Sequence, residues 1–180
     1  MWVHGHAIVC GLARMTDAAG AMPEDLRFEA DWALFQAALD RADLSLIGRR
    51  THAAAPNVKR RRRVVVTASP APLADAPAIA FDPDGGDLRG FLAARFGPEA
   101  HVAVVGGTGV FDLAGRALGY DAFTLTVAPA ARLPGGRTVF TGADDLDALR
   151  AHLVSLGLDR IAARTLQASP RLELEEWRHR

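Results

Sequence analysis

The sequence has 180 residues, 49% of them hydrophobic and 23% charged, which predicts one folded globular domain covering residues 1–180 and excludes a disordered chain. Its 21 basic and 21 acidic residues cancel, so no overall field attracts nucleic acid or a membrane surface. The single cysteine, Cys10, excludes a disulfide framework and a cysteine-cluster zinc site within this chain.

Short apolar runs alternate with helical patterns in the first half of the chain. Residues 7–12 are apolar and too few for a helix, which predicts a buried strand. Apolar residues three or four apart predict a helix over 28–39. Further strands are predicted at 44–47, 64–67 and 78–81, and a loop within the domain at 68–78.

The second half continues this alternation. Helical spacing predicts helices over 88–96, about 110–118 and 144–156. Strands are predicted at 102–105 and 123–127, with a closing antiparallel pair at 161–166 and 172–177. Strands that alternate with helices and end in such a pair predict an α/β domain with a mixed sheet.

A predicted buried strand runs into Gly106 and Gly107, and a helix follows. This arrangement brings bare N–H groups and the positive end of a helix to one place, which is typical of phosphate sites. The spaced-glycine dinucleotide pattern is not met, because Val110 follows Gly107-Thr108-Gly109, and no phosphate-loop motif occurs. The spacing alone leaves an anion site and a simple strand-to-helix turn equally open.

Two groups of basic residues follow or precede strands. Arg49 and Arg50 come directly after Gly48, where their guanidinium groups could bind a phosphate, although solvated surface arginines are the simpler interpretation. Residues 59–63 are all basic but lie in a short loop without aromatic residues in a neutral protein. We expect a solvated loop there, then an arginine that holds an acidic substrate group, and only last a nucleic-acid surface.

Asp31 lies among apolar residues of the predicted helix 28–39. In a cleft, desolvation would raise the pKa of this carboxyl, which could then relay a proton near neutral pH. An ionised acid in the first turn of a helix is the simpler account, and the sequence alone favours it. His4 and His6 lack a third ligand, so we expect no metal site and place them in a frayed terminus.

No apolar stretch approaches the roughly 20 residues that a membrane span needs, and the first six residues lack the pattern of a secretory signal. We therefore expect a soluble cytoplasmic protein, monomer or homodimer, that acts on a small molecule and binds neither nucleic acid nor membrane.

In order and spacing, several segments resemble the dihydrofolate reductase superfamily, which also contains the reductase domain of riboflavin biosynthesis. They are Ala21-Met22-Pro23, Ala30-Asp31 with Phe35, Gly48-Arg49-Arg50-Thr51, Val105-Gly106-Gly107, Leu125-Thr126, and Gly136 with Thr138-Val139-Phe140. The resemblance implies a central, mostly parallel, eight-stranded mixed sheet flanked by helices. It also implies NADPH as hydride donor.

The resemblance further implies roles for single residues. Asp31 is the expected catalytic carboxylate, which would hold a pterin ring and support its protonation. The expected substrate-binding residues are Met22 on a mobile loop, Phe35 in the pocket, Arg61 on the folate tail carboxylate, and Thr126. The expected cofactor-binding residues are Gly48, Arg49, Arg50, Thr51, Gly106, Gly107, Thr108, Gly109 and Val110. Gly106-Gly107 matches the diglycine turn of the superfamily, which often has a cis peptide.

The sequence also departs from typical dihydrofolate reductases. The loop from Thr16 to Pro23 is shorter, Glu24 stands where an apolar residue is common, and residues 126–140 are more similar to riboflavin-type reductases. We expect an NADPH-dependent reductase of 7,8-dihydrofolate in one-carbon metabolism. The first alternative is the 5-amino-6-(5-phosphoribosylamino)uracil reductase of riboflavin biosynthesis. The second is a catalytically silent member of the fold that binds a nucleotide or a protein partner.

Overall fold

The computed structural model describes residues 1–73 and 77–179. The strands in these ranges are β1 (Trp2–Cys10), β2 (Leu44–Gly48), β3 (Arg63–Val66), β4 (Ala78–Phe81), β5 (His101–Gly106), β6 (Ala122–Ala128), β7 (Leu158–Gln167) and β8 (Leu172–His179). The α-helices are α1 (Glu29–Arg41), α2 (Arg49–Ala54), α3 (Leu88–Phe96), α4 (Thr108–Ala117) and α5 (Leu146–Ser155), and a short 3₁₀ helix covers Glu24–Leu26.

The strands form one sheet in the order β4-β3-β2-β5-β1-β6-β8-β7. The first six strands in this order, from the edge strand β4 through β3, β2, β5 and β1 to β6, pair in parallel. The strand β8 pairs antiparallel with both β6 and β7. This is the mostly parallel, eight-stranded mixed sheet that the resemblance implies. The late hairpin is confirmed, with β8 inserted between β6 and the edge strand β7.

Helices cover both faces of the sheet. On one face α1 lies over β1, where Asp31 contacts His6. On the other face α4 packs its Phe111 ring 5.7 Å from the Phe123 ring of β6. Gly5 of β1 pairs with Phe123, and a Cβ on this glycine would lie 2.3 Å from the Phe123 ring. A glycine is therefore needed at this point of the central strand.

Two apolar clusters lie on opposite faces of the sheet. The larger cluster joins α3, α4 and α5 to the sheet, and its largest fully buried side chains include Tyr120, Phe111, Phe123 and Phe140. The smaller cluster lies near the end of β1 and contains Ile8, Cys10, Leu26, Ala128, Leu133 and Leu172. The face under α1 is more polar, because β1 presents His4 and His6 there.

Most predicted elements are confirmed within a few residues, and the main error concerns the start of the chain. The strand predicted at 7–12 begins at Trp2, because backbone pairing with β5 starts there and the Trp2 ring packs 4.3 Å from His101. The placement of His4 and His6 in a frayed terminus was therefore wrong. The predicted loop at 68–78 partly lies outside the described residues, and Ala78 already begins β4.

Within residues 1–73 and 77–179, none of the helices combines the length and the apolar character needed to cross a membrane.

Candidate functional site

The sheet has a topological switch point between β2 and β5. These neighbouring parallel strands run in the same direction, but the chain leaves β2 towards β3 on one side and β5 towards β6 on the other. In such sheets, ligands bind in the crevice outside the carboxyl ends of the two strands. Gly48 ends β2 and Gly106 ends β5, so the two glycine segments singled out in the sequence flank this crevice.

The two strand ends touch each other. A Cβ on Gly48 would lie 3.7 Å from the carbonyl oxygen of Gly106 and 3.3 Å from Cγ2 of Val110. The backbones therefore approach closely where a side chain would keep them apart. Three of the predicted cofactor residues are thus brought together.

The turn at Gly106 has a backbone that glycine alone adopts readily. Gly106 has φ +99°, and a Cβ there would lie 2.5 Å from Cε2 of Phe111. The peptide bond between Gly106 and Gly107 is cis, as the resemblance implies. Gly107 and Gly109, in contrast, face open space, because a Cβ on either would meet no atom within 4 Å.

The start of α4 is suited to an anion. Gly107 is its N-cap, and the N–H groups of Thr108 and Gly109 belong to the first turn, which has no partners within a helix. The ten residues of α4 add the positive end of a helix dipole. Open glycines and unpaired N–H groups at one helix start fit the phosphate of a dinucleotide.

Arginines lie beside the crevice on the β2 side. Arg49 donates to the carbonyl oxygens of Ala71 and Pro72 at 3.0 and 3.2 Å. Arg50 is exposed and makes no hydrogen bond or ion pair within the described part of the chain, and Thr51 is half-buried. Because α2 has only six residues, phosphate binding on this side would depend on the arginine side chains rather than on the helix end.

A cavity of about 370 Å³ opens next to these arginines. Its lining includes Arg49, His52, Pro56, Asn57 and Pro72. The predicted cofactor residues therefore fit a phosphate-bearing dinucleotide at two points, the start of α4 and the basic segment after β2.

Asp31 lies in the first turn of α1, as the simpler account expected, and it is also buried and paired. Its residue is 6% exposed, and Oδ1 lies 3.1 Å from Nε2 of His6, which is itself 7% exposed. The Phe35 ring, one turn further along α1, lies 5.3 Å from the His6 ring. A carboxylate, an imidazole and an aromatic ring thus form one group between α1 and β1.

Three polar atoms on this face make no hydrogen bond with any residue in the ranges 1–73 and 77–179. They are Oδ2 of Asp31, Nδ1 of His6 and Oγ1 of Thr126. Thr126 is fully buried and lies opposite Ile8, two residues beyond His6, so its side chain points to the same face. Because buried polar groups in proteins are nearly always paired, the unpaired Oγ1 of Thr126 indicates a place for a polar ligand on this face, where Asp31 and His6 each have a further polar atom to offer.

The strand register places this group at the same end of the sheet as the glycine turn. Gly5 and Val104 are the last pair in the register of β1 with β5. His6 directly follows Gly5, and Gly106 comes two residues after Val104. His6, which contacts Asp31, and the glycine turn therefore both follow the paired part of these two strands.

His4 lies two residues before His6 and differs from it in its surroundings. Its Nε2 lies 2.9 Å from Oγ1 of Thr124. Burial, helped by the nearby charges of His6 and His101, lowers the pKa of His4 from 6.5 to about 3. His4 is therefore neutral at physiological pH and held by a protein partner.

Met22 and Arg61 are not brought into direct contact with this group. Met22 is 42% exposed on the loop before the 3₁₀ helix. Arg61 donates to Gln36 at 2.9 Å and forms an ion pair with Asp40, both on α1. The pKa of Asp40 is lowered by hydrogen bonds from Lys59 and Arg61.

The basic run 59–63 is thus not simply a solvated loop. Lys59 and Arg61 pair with Asp40, and Arg63 donates to the carbonyl oxygen of Ala55 at 2.7 Å. Three of its five cations therefore serve contacts within the protein.

His6 is the residue that the sequence reasoning missed. A histidine two positions from another in a β-branched and apolar strand did suggest a shared face, but nothing local indicated that Asp31 of α1 would lie above it. Within residues 1–73 and 77–179, no group of three or more His, Cys, Asp or Glu side chains is arranged to hold a metal ion.

The chain has the fold of dihydrofolate reductase. Its structure is similar to a putative riboflavin biosynthesis protein from Shewanella sp. PV-4, with a TM-score of 0.70, 16% identity and coverage of 100% of this chain and 99% of that one. It is similar to dihydrofolate reductase from Enterococcus faecalis complexed with NADP(H) and RAB-propyl, with a TM-score of 0.67, 14% identity and coverage of 98% and 95%.

A third similar structure has two activities in its name. It is the diaminohydroxyphosphoribosylaminopyrimidine deaminase/5-amino-6-(5-phosphoribosylamino)uracil reductase from Thermotoga maritima, with a TM-score of 0.71 and 15% identity. The match covers 99% of this chain but 56% of that one. No protein-family model and no curated protein matches the sequence.

Proposed function

We propose that this chain, which has the dihydrofolate reductase fold, is an NADPH-dependent reductase that transfers a hydride to a carbon of a bound pterin-like or pyrimidine substrate. The observation that carries the proposal is the position of Asp31. This buried carboxyl group keeps one unpaired oxygen and contacts His6 of β1, the strand next to β5, which ends in the glycine turn.

The cofactor would be held by the residues around that crevice. The first-turn N–H groups of Thr108 and Gly109 and the side chain of Arg50 are the free donors for its phosphates. When bound, the nicotinamide supplies the hydride. The protein would orient the two rings, and enclosure of the site between α1 and the sheet would exclude water.

Dihydrofolate is the first substrate to test. Asp31 with the Phe35 ring provides an acid and an apolar wall, which suit a flat heterocycle that has N–H donors on one edge. Thr126 adds a buried hydroxyl with no protein partner in the described residues.

A specific observation favours 5-amino-6-(5-phosphoribosylamino)uracil as a second candidate. Arg61, the arginine expected to bind the folate tail carboxylate, is already paired with Asp40 and Gln36. The pyrimidine substrate has no folate tail, so its binding does not require Arg61 to leave these partners.

The experiment is NADPH oxidation, followed at 340 nm, with each substrate in turn. Asp31→Asn should lower kcat by about 10²–10⁴-fold, the usual contribution of a group that assists proton transfer. Glu29→Gln is the matched control, because Glu29 is an exposed acid in the same first turn of α1. Turnover of one substrate alone identifies it.

Two other results would contradict the proposal. If NADPH raises the melting temperature but neither substrate is turned over, the chain is a silent nucleotide-binding member of the fold. Equal activity of Asp31→Asn and wild type would remove the role of the carboxyl group.

A further inference from the structure

The buried carboxyl group of Asp31 contacts the imidazole of His6, a residue of the sheet strand β1. Nε2 of His6 lies 3.1 Å from Oδ1 of Asp31, and the two side chains are 6% and 8% exposed. An ionised carboxylate only accepts hydrogen bonds, so Nε2 carries the hydrogen in this pair. The second ring nitrogen, Nδ1, is then the one that can exchange a proton with a ligand.

The imidazole is fixed in position, while its Nδ1 is not used by the protein. The ring lies 5.3 Å from the Phe35 ring and 6.4 Å from the His4 ring. Nδ1 makes no hydrogen bond to any residue of the described ranges. The His6 imidazole is thus held by Asp31 at Nε2, while its Nδ1 is available to a bound ligand.

We propose that His6 is a catalytic residue of this reductase, which donates the proton to the substrate nitrogen from Nδ1 while Asp31 holds the ring through Nε2. This inference rests on the proposed function. It changes the role of Asp31, because a carboxylate with Oδ1 already occupied has one oxygen left for the substrate.

Addition of a hydride to the carbon of a C=N bond breaks the π bond and leaves its electron pair on the nitrogen. That nitrogen takes the proton from Nδ1 of the His6 imidazolium, and a nicotinamide dinucleotide is oxidised. The imidazole is left neutral, with its remaining hydrogen on Nε2 against Asp31, and water returns the proton to Nδ1.

Few other charges face His6. His4 adjoins it on β1, Asp31 faces it from α1, and Glu176 of β8 lies one strand further away, opposite Thr124. The neighbouring residue of β6 in the strand register is Thr124, which does not titrate. Asp31 is therefore the partner through which the protein holds the His6 ring.

The test compares His6→Gln with His4→Gln. Both histidines lie on the same face of β1, but His4 is neutral and bonded to Thr124. We expect His6→Gln to lower kcat about 100-fold. His4→Gln should leave kcat unchanged. Substrate affinity without cofactor, followed by the intrinsic tryptophan fluorescence of the protein, should change by less than about threefold in both variants.

A second variant separates chemistry from structure. His6→Ala with added imidazole should recover activity in proportion to the imidazolium concentration, which a merely structural histidine would not allow. Failure of imidazole to restore activity to His6→Ala, or equal losses in His6→Gln and His4→Gln, would overturn the role of His6. Wild-type protein that oxidises NADPH with neither substrate would instead overturn the proposed function, and the inference with it.

Discussion

The replacement Gly106→Ala tests the close contact between the glycine turn and α4. The added Cβ would lie 2.5 Å from Cε2 and 3.1 Å from Cζ of Phe111. Phe111 is 1% exposed and packs against the rings of Phe123 and Phe140 at 5.7 and 5.9 Å. Movement of the Phe111 ring away from the added Cβ would therefore disturb its packing against other buried aromatic rings.

Two terms give the size of the effect. A residue with a Cβ at positive φ costs about 1–2 kcal/mol, and overpacking of a core costs about 1–3 kcal/mol. We expect the free energy of unfolding to decrease by about 2–5 kcal/mol in total. For a chain of this length, the melting temperature should decrease by about 4–20 °C.

Urea denaturation at pH 7 measures this loss, and Gly107→Ala is the matched control. Gly107 has φ −51°, and its Cβ would meet nothing within 4 Å, so its stability should change by less than about 1 kcal/mol. The control should instead weaken the stabilisation by NADPH, since its methyl group would stand where the phosphate approaches. Equal stability of Gly106→Ala and wild type would refute the reasoning.

Two further predictions concern buried ionisable side chains. Because burial lowers the pKa of His4 to about 3, the unfolded chain binds more protons between pH 6.5 and 3, and the free energy of unfolding should decrease as the pH falls through this window. The slope removed by His4→Gln should be at most about 1.4 kcal/mol per pH unit, measured by urea denaturation at several pH values, and an unchanged slope would contradict it. On β8, Glu175 is buried and accepts hydrogen bonds from Arg150 of α5 at 2.6 and 3.0 Å. Glu175→Gln should lower the free energy of unfolding by about 1–3 kcal/mol, and the more exposed pair of Glu173 with Arg171 is the control, for which Glu173→Gln should cost less than about 1 kcal/mol. Equal losses in these two acidic variants would show that burial of Glu175 is not the cause.

The sheet could be predicted from the sequence because its strands are short apolar runs bounded by strong turn signals. Gly48 and Gly106-Gly107 marked the ends of β2 and β5 for the same reason, and the resemblance to the superfamily then implied that both bind the cofactor. The strand β1 was harder to place, since Trp2, His4 and His6 are not typical of a buried strand. Its pairing with β5 involves residues about 100 positions apart, which no local pattern reveals.

The partners of side chains were the other part that the sequence could not provide. Asp31 and His6 are 25 residues apart and meet only because α1 crosses back over β1. Arg61 is likewise held by Asp40, which lies 21 residues earlier on the surface of α1. The residue types indicated which interactions these side chains can form. The partner of each side chain became clear only from the packing of α1 against the sheet.

Transfer of deuterium from NADPH labelled at both C4 positions tests the central claim most directly. The protein is incubated with the labelled cofactor and each of the two heterocycles, and the mass and the labelled position of the product are determined by mass spectrometry. Hydride transfer in this crevice predicts one deuterium in each reduced product, on a pterin ring carbon of tetrahydrofolate or on the former C1 of the ribose in the pyrimidine product, with one NADPH consumed for each. A product without deuterium, or labelled cofactor that stays unoxidised with both heterocycles, would contradict the account.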